Sequence, residues 1–377
     1  MKTYQNLYVN GQWKDPLHAQ DAQLVLLFGD RTLATNSAIH IQIREAFPYA
    51  EIIGCTTSGE ILDDELFDNS LCLTAITFKH SHIQVEHASV DSLTLLETTT
   101  LLAHRIEHEG LKYLLVLSDG QVVNGTELVE GLANALPKGT LITGGLSGDG
   151  TRFSETVVWH NDQAKSGQVV VCGFYGDSLG IGHGSMGGWD PFGPERVITH
   201  SEANTLYSLD RKPALALYKA YLGEHAANLP ASALLFPLLI KRKGEDESVI
   251  RTILNINEDD GSMIFAGDIP EGSTAQLMRA NFERLIDGAE GAAESALQHY
   301  TQHSGDGLVL MISCVGRRLV LNQRVEEELE VVKDVFGDHW AYTGFYSYGE
   351  LSPRTNSGAC ALHNQTMTIT TIFEHDA

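Results

Sequence analysis

The chain repeats itself. Displaced by 89 residues, the stretch 24–60 falls on 113–149. The run LVLLFGD at 24–30 lies against LLVLSDG at 114–120; Asp30 meets Asp119, Pro48 meets Pro137, Gly59 meets Gly148 and Glu60 meets Asp149. Between these markers each copy carries a helical period, with Ile39, Ile43 and Phe47 in the first and Leu128, Leu132 and Leu136 in the second. Asn36 and Asn124 stand where N-caps belong, and each proline follows as a stop signal. A unit is therefore strand, helix, strand and a loop of small residues, with apolar strands following at 71–78 and 168–176. This order predicts an α/β fold with mixed sheets and helices, α+β being the alternative. Two copies of one unit are expected side by side in a single sheet.

A looser third copy lies near the C-terminus, where GLVLMISC (307–314) reads as a buried strand and YTGFYSYGE (342–350) supplies the loop. Gly59-Glu60, Gly148-Asp149, Gly267-Asp268 and Gly349-Glu350 read as four instances of one turn. Glycine at a strand end answers first to a backbone needing positive φ, and the acid to a neighbouring amide. Repetition adds a second meaning, because small-residue loops at the strand ends of an α/β core converge on one rim, where ligands bind. The candidate ligand-binding residues are Cys55, Thr56, Thr57, Ser58 and Gly59 in the first loop and Gly145, Ser147 and Gly148 in the second. Tyr346, Ser347 and Tyr348 belong to the third, with Trp189 and Asn364 completing the pocket. Phosphate fits poorly, since no G-x-x-x-x-G-K-[ST] occurs and the loops carry carboxylates.

Charge narrows the partners. Against 25 basic residues stand 49 acidic ones, a net charge of −24 that repels phosphate backbones and anionic lipid. Neither nucleic acid nor a membrane surface is expected as a partner. The five cysteines are scattered without a C-x-x-C pair, which suits a reducing compartment. The start, MKTYQNLYVNGQWKD, lacks the apolar core of a signal peptide, and the strongest apolar run, SALLFPLLI at 232–240, is too short to span a bilayer. A cytoplasmic protein is expected. Residues 177–213, rich in Gly and Pro, read as a long connection with little regular structure. Beyond it come a helix at 213–226, hairpin texture at 248–270, one or two helices at 273–300 and an edge-like strand at the C-terminus.

GCTTSGEI, TGGLSGDG, the glycine-rich run from Gly182 to Gly223, and GFYSYGELSP followed by CALHNQTMTI occur in this order over nearly the whole chain. Together they resemble the FIST sensory domain, with its N-terminal and C-terminal portions placed here at 20–200 and 205–375. Arg211 departs from the family pattern, which has glycine there. The resemblance implies a sensor of a small ligand. A free-standing chain of this kind is similar to bacterial haem proteins that sense nitric oxide and act on a separate histidine kinase or cyclic-di-GMP enzyme. It leaves a homo-oligomer open.

A b-type haem needs a neutral imidazole and an apolar pocket. The candidate axial ligands are His183, flanked by glycines that would let a macrocycle approach, and His363, beside a predicted strand. Cys55 is an alternative thiolate. Two other readings stand beside haem: a haem-free sensor of an amino acid or other small metabolite, and a pure protein-interaction module. No G-x-S-x-G elbow, H-E-x-x-H helix or kinase signature is present, so a non-enzyme is expected.

Overall fold

The structure is a computed structural model describing residues 1–18, 21–91, 93–161, 163–245, 248–298, 307–354 and 358–375. Its centre is built from three sheets on one plan. In each, an inner strand (Leu24–Gly29, Leu111–Ser118 or Gly307–Cys314) runs parallel to the strand reached through a helix (Glu51–Thr56, Leu141–Leu146 or Trp340–Ser347). On its other side each inner strand pairs antiparallel with a later strand, Leu71–Thr77, Gln168–Tyr175 or Met367–Glu374. An earlier strand then extends the set: Lys2–Val9, His82–Ser89 or Leu179–Met186. The inner strands read as continuous apolar runs because both of their faces are covered. The connecting helices, Ser37–Ala46, Gly125–Ala135 and Glu327–Phe336, bury one stripe each. Asn36 and Asn124 cap the first two as expected, the Asn124 side chain accepting from the amides of Thr126 and Glu127.

The copies do not share a sheet; each heads its own. What joins them is an exchange of hairpins. The hairpin after the first loop (Glu60–Leu62 and Glu65–Phe67) pairs with Trp340–Ser347 of the third sheet. The hairpin after the second loop (Val158–His160 and Gln163–Lys165) pairs with Glu51–Thr56 of the first. The third hairpin (Gly349–Pro353 and Cys360–His363) pairs with Leu141–Leu146 of the second. Each unit completes another's sheet, and the cycle closes. The space enclosed is a shared core that draws Phe28, Tyr113, Phe174, Leu310 and Phe345 from all three.

The third unit is interrupted. Between Leu179–Met186 and the helix Phe282–Leu297 lies a separate antiparallel sheet, including Arg196–Glu202, Thr205–Leu209, Leu238–Lys241 and Thr274–Arg279, with the helix Ala214–Leu222 packed on it. The segment 177–213 is therefore strands and not a long connection. Its glycines mislead because they serve packing: a Cβ on Gly182 would lie 2.1 Å from the carbonyl oxygen of Ala296, and one on Gly184 2.0 Å from that of Ala292. The helix Phe282–Leu297 rests directly on this strand's backbone. Likewise 273–300 begins as a strand, and the helix starts only after its N-cap Asn281; positions 299 and 300 lie outside the described residues. The C-terminal strand Met367–Glu374 is central and fully buried, because Leu179–Met186 covers its outer edge.

Three glycines hold equivalent places where the parallel pairs cross most closely. A Cβ on Gly54, Gly144 or Gly344 would fall 1.9, 1.9 or 1.8 Å from the carbonyl oxygen of Leu27, Val116 or Met311. Backbone cannot yield as a side chain can. Gly344→Ala is expected to lower unfolding stability in urea by at least about 2 kcal/mol, the upper range of overpacking costs. A change within about 0.5 kcal/mol would show that the strands can separate there.

Candidate functional site

Register decides which loop residues correspond. Thr56, Leu146 and Tyr346 lie opposite Gly29, Ser118 and Ser313 near the ends of the parallel pairs. Two residues further on, the chain crosses to a neighbouring unit. The Ser58 amide donates to the Tyr346 carbonyl at 2.8 Å, the Gly148 amide to the Thr56 carbonyl at 2.9 Å, and the Tyr348 amide to the Leu146 carbonyl at 3.1 Å. These three bonds form a closed ring around the approximate threefold axis. Gly148 has no side chain because a Cβ there would meet the Ser58 Oγ at 2.4 Å.

This geometry corrects the repeat alignment by one residue. Glu60 corresponds to Gly150 and Glu350, and Gly59 to Asp149 and Gly349. The offset of 89 holds through the inner strands and becomes 90 afterwards, because the turn after Pro137 is one residue longer than that after Pro48. Gly267-Asp268 is not a fourth copy. It follows the strand Ser262–Phe265 of the inserted sheet, where Asp268 accepts a bond of 3.2 Å from the Asn124 side chain.

The ring's own side chains are spent on one another. Thr57, Ser147 and Ser347 are equivalent buried hydroxyls. Thr57 donates to Glu60 at 2.5 Å and Ser347 to Glu350 at 2.6 Å. The far oxygens accept from Ser70 at 2.7 Å and from the Thr366 hydroxyl at 2.9 Å. Burial dominates both carboxyls and pushes each up to about 8, with Asp68 adding to the effect at Glu60 and Arg317 opposing it at Glu350. In the second unit the acid has moved to Asp149, on which Arg152 and Ser154 converge at 2.7 and 2.8 Å. Burial works against its charge, yet those bonds hold it below the ordinary carboxylate range.

Two clefts open beside the ring. The smaller, of about 330 Å³, has Ser58, Arg152 and Arg318 in its wall. Arg318 is already engaged, its guanidinium bonded to the Ser58 carbonyl and to Asp68. The larger, of about 490 Å³, lies where the second unit's loop Gly120–Gly125, the third unit's Cys314, Val315 and Tyr348, and the inserted sheet's Thr252, Leu254 and Ala266 face each other. Phe153 closes one side, its ring stacked on Tyr348 at 4.7 Å and 14°. Phe153 also holds φ of 48°, uncommon for an aromatic residue and kept here by the loop that carries it.

Of the residues expected at the site, Ser58 lines the smaller cleft and Tyr348 the larger. Both hydroxyls lie 3.2 Å from one acceptor, the Gly150 carbonyl, so the two clefts share a wall. The others stand behind them. Thr56 exchanges bonds with the backbone of Val157, Gly59 (φ 133°) packs against Arg318, and Tyr346 donates to Glu328 at 2.7 Å. Gly145 backs onto Ile312 and Phe345. Cys55 lies in the shared core, where burial pushes its thiol well up. The Trp189 indole donates to the Gln365 carbonyl at 3.0 Å from within the core, and the Asn364 amide reaches the Tyr348 carbonyl at 3.5 Å. His183 is on the strand Leu179–Met186 opposite Thr370, and a His363 ring nitrogen sits 3.1 Å from the Ser352 carbonyl. Neither histidine lines either cleft. Sequence reasoning missed Val122, Phe153, Thr252 and Leu254. The available signal was apolar residues set inside polar loops, as in GQVVNG at 120–125.

The FIST N domain family matches residues 23–212, and the FIST C domain family matches residues 214–353. No curated protein matches the sequence. Among solved structures, the chain is similar to a crystal structure of cyanuric acid hydrolase from A. caulinodans, at 7% identity and a TM-score of 0.40, over 94% of this chain and 90% of that one. No described helix is long and apolar enough to cross a membrane.

The buried carboxyls set a pH dependence. Glu60 and Glu350 keep a proton to about pH 8 when folded, whereas their ordinary value is 4.5. Between those limits the folded state binds more protons than the unfolded one, so stability falls as pH rises through that window. Glu60→Gln combined with Glu350→Gln is expected to flatten the decline in melting temperature between about pH 5 and about pH 8. Parallel curves for the two proteins would remove these groups from the account.

Proposed function

Because the chain belongs to the FIST family of sensory signal-transduction domains, we propose that it senses a small haem-free ligand bound in the 490 Å³ cleft. The observation carrying this reading is the cleft's position. It lies between the threefold core and the inserted sheet, and its volume falls in the range of small-molecule sites.

A path for the signal starts at the same place. Val315 lines the cleft and opens the helix Val315–Leu321. Two residues on, Arg317 is fully buried and paired with Glu328 at 2.7 Å. Its remaining donors hold the Gly187 carbonyl and, at 2.7 Å, the Leu285 carbonyl. Those carbonyls flank the inserted sheet on either side in sequence, so one guanidinium grips both stems of the insertion. A ligand that prefers one placement of Val315 biases the helix, and through Arg317 it biases the seating of the inserted sheet. The bias is as large as the ligand's difference in affinity between the two placements.

Haem does not fit this cleft. Among the described residues no imidazole lines it, and the glycines beside His183 serve the packing of the helix Phe282–Leu297. Ala266→Trp places a large ring in the cleft from a half-buried position. With a panel of small metabolites, at least one is expected to bind the native protein saturably and to lose at least about tenfold in affinity in Ala266→Trp, the loss for a site that can no longer admit its ligand. Added haem is expected to give no Soret band that depends on a histidine. A stoichiometric Soret band abolished by His183→Ala or His363→Ala would replace this reading with the haem sensor of nitric oxide, acting on a histidine kinase or cyclic-di-GMP enzyme.

A further inference from the structure

The lining of the larger cleft is unusual for this chain. The protein carries 74 charged side chains, 25 basic and 49 acidic, yet among the described residues none that faces the cavity is Asp, Glu, Lys, Arg or His. Its two ionisable groups are held neutral. Burial pushes the Tyr348 phenol up to about 12 and raises the Cys314 thiol further. A charged ligand entering here would shed water and meet no lining side chain of opposite charge to offset that cost.

Apolar surface is concentrated at the same place. Among the described large hydrophobic side chains that stand exposed, Val122 (58%), Leu254 (43%) and Phe153 (39%) all border this one cleft. The Phe153–Tyr348 stack offers flat aromatic surface beside the aliphatic groups. Thr252, also in the lining, is 4% exposed, and its Oγ1 is buried with no hydrogen-bond partner. A buried hydroxyl left unpaired costs free energy, and a ligand that bonds to it recovers that cost.

Building on the assignment of the cleft as the ligand site, we infer that its ligand is an uncharged molecule with a flat ring and a hydrogen-bonding edge, the ring lying on the Phe153–Tyr348 wall and the edge meeting Thr252. The acidic exterior then repels anions before they arrive, and the neutral lining rejects cations that the exterior attracts. Selection by charge is divided between surface and pocket.

Benzamide, benzoate and benzylammonium share one ring and differ in charge, so titrating each into the whole protein by calorimetry or ligand-observed NMR isolates the effect. Benzamide is expected to bind at least about tenfold more tightly than either ion, the penalty for an unpaired buried charge being more than enough to produce that ratio. Ala266→Trp should abolish benzamide binding, while Thr252→Val, which keeps shape and removes the hydroxyl, should weaken it several-fold. Phe153→Ala should weaken it too, with little loss of fold because the side chain is exposed. If an ion binds as tightly as benzamide and Ala266→Trp abolishes both, the cleft is the site and the ligand class is wrong. If benzamide binding survives Ala266→Trp, or none of the three binds saturably at millimolar concentration, the inference is overturned. Unchanged affinity in Thr252→Val would remove the hydroxyl from recognition.

Discussion

Three backbone hydrogen bonds fix everything else in this molecule. Ser58 to Tyr346, Gly148 to Thr56 and Tyr348 to Leu146 tie the tips of three parallel strand pairs into a ring. Each unit both donates and accepts, so no unit can be withdrawn without breaking two of the bonds. A buried amide or carbonyl left without its partner costs about 1–3 kcal/mol, and the hairpins that follow each tip carry the same cyclic exchange into the sheets. The approximate threefold core is thus one cooperative body, although its third part is separated in sequence by an inserted sheet.

The proposed ligand site lies where symmetry fails. The ring positions that stay equivalent, such as Thr57 with Ser347 and Glu60 with Glu350, bond internally and stabilise the core. The departures lie in the second unit, where Gly148 and Gly150 replace bulkier residues, and in the third, where Tyr348 stands in place of Ser58. Gly150 borders the smaller cleft, and Tyr348 with the insertion borders the larger. Arg317, two residues after the cleft-lining Val315, bonds the carbonyls of both stems of the inserted sheet and is held by a fully buried ion pair with Glu328. Removing one partner of such a pair leaves a charge stranded in the interior, which makes this contact costly to break.

Much of this was legible in the residues. The inner strands, their helices and the Asn caps follow from hydrophobic period and local chemistry, and the structure has them where the sequence puts them. The strand Leu179–Met186 was hidden because its glycines belong to a helix that arrives about a hundred residues later. The alignment slipped by one residue because a single insertion in the turn after Pro137 leaves both flanking patterns intact. The hairpin exchange has no local signature, since pairing partners are chosen across more than a hundred positions. Ser58 and Tyr348, two of the loop residues named from the sequence, border the clefts. The hydroxyls of Thr57 and Ser347 serve buried carboxyls, and the larger cleft is walled by residues such as Thr252 and Leu254, which lie far along the chain from the loops.

A ligand that biases Val315 would reset the inserted sheet against the threefold core. Spin labels at Tyr49 on the core and Val197 on the inserted sheet, both exposed, report that relation directly through their distance distribution. Saturating benzamide is expected to shift or narrow the distribution, and Ala266→Trp to make it insensitive to the probe. Saturable binding at the cleft with an unchanged distribution would contradict this coupling, leaving a binding site that does not move the sheet.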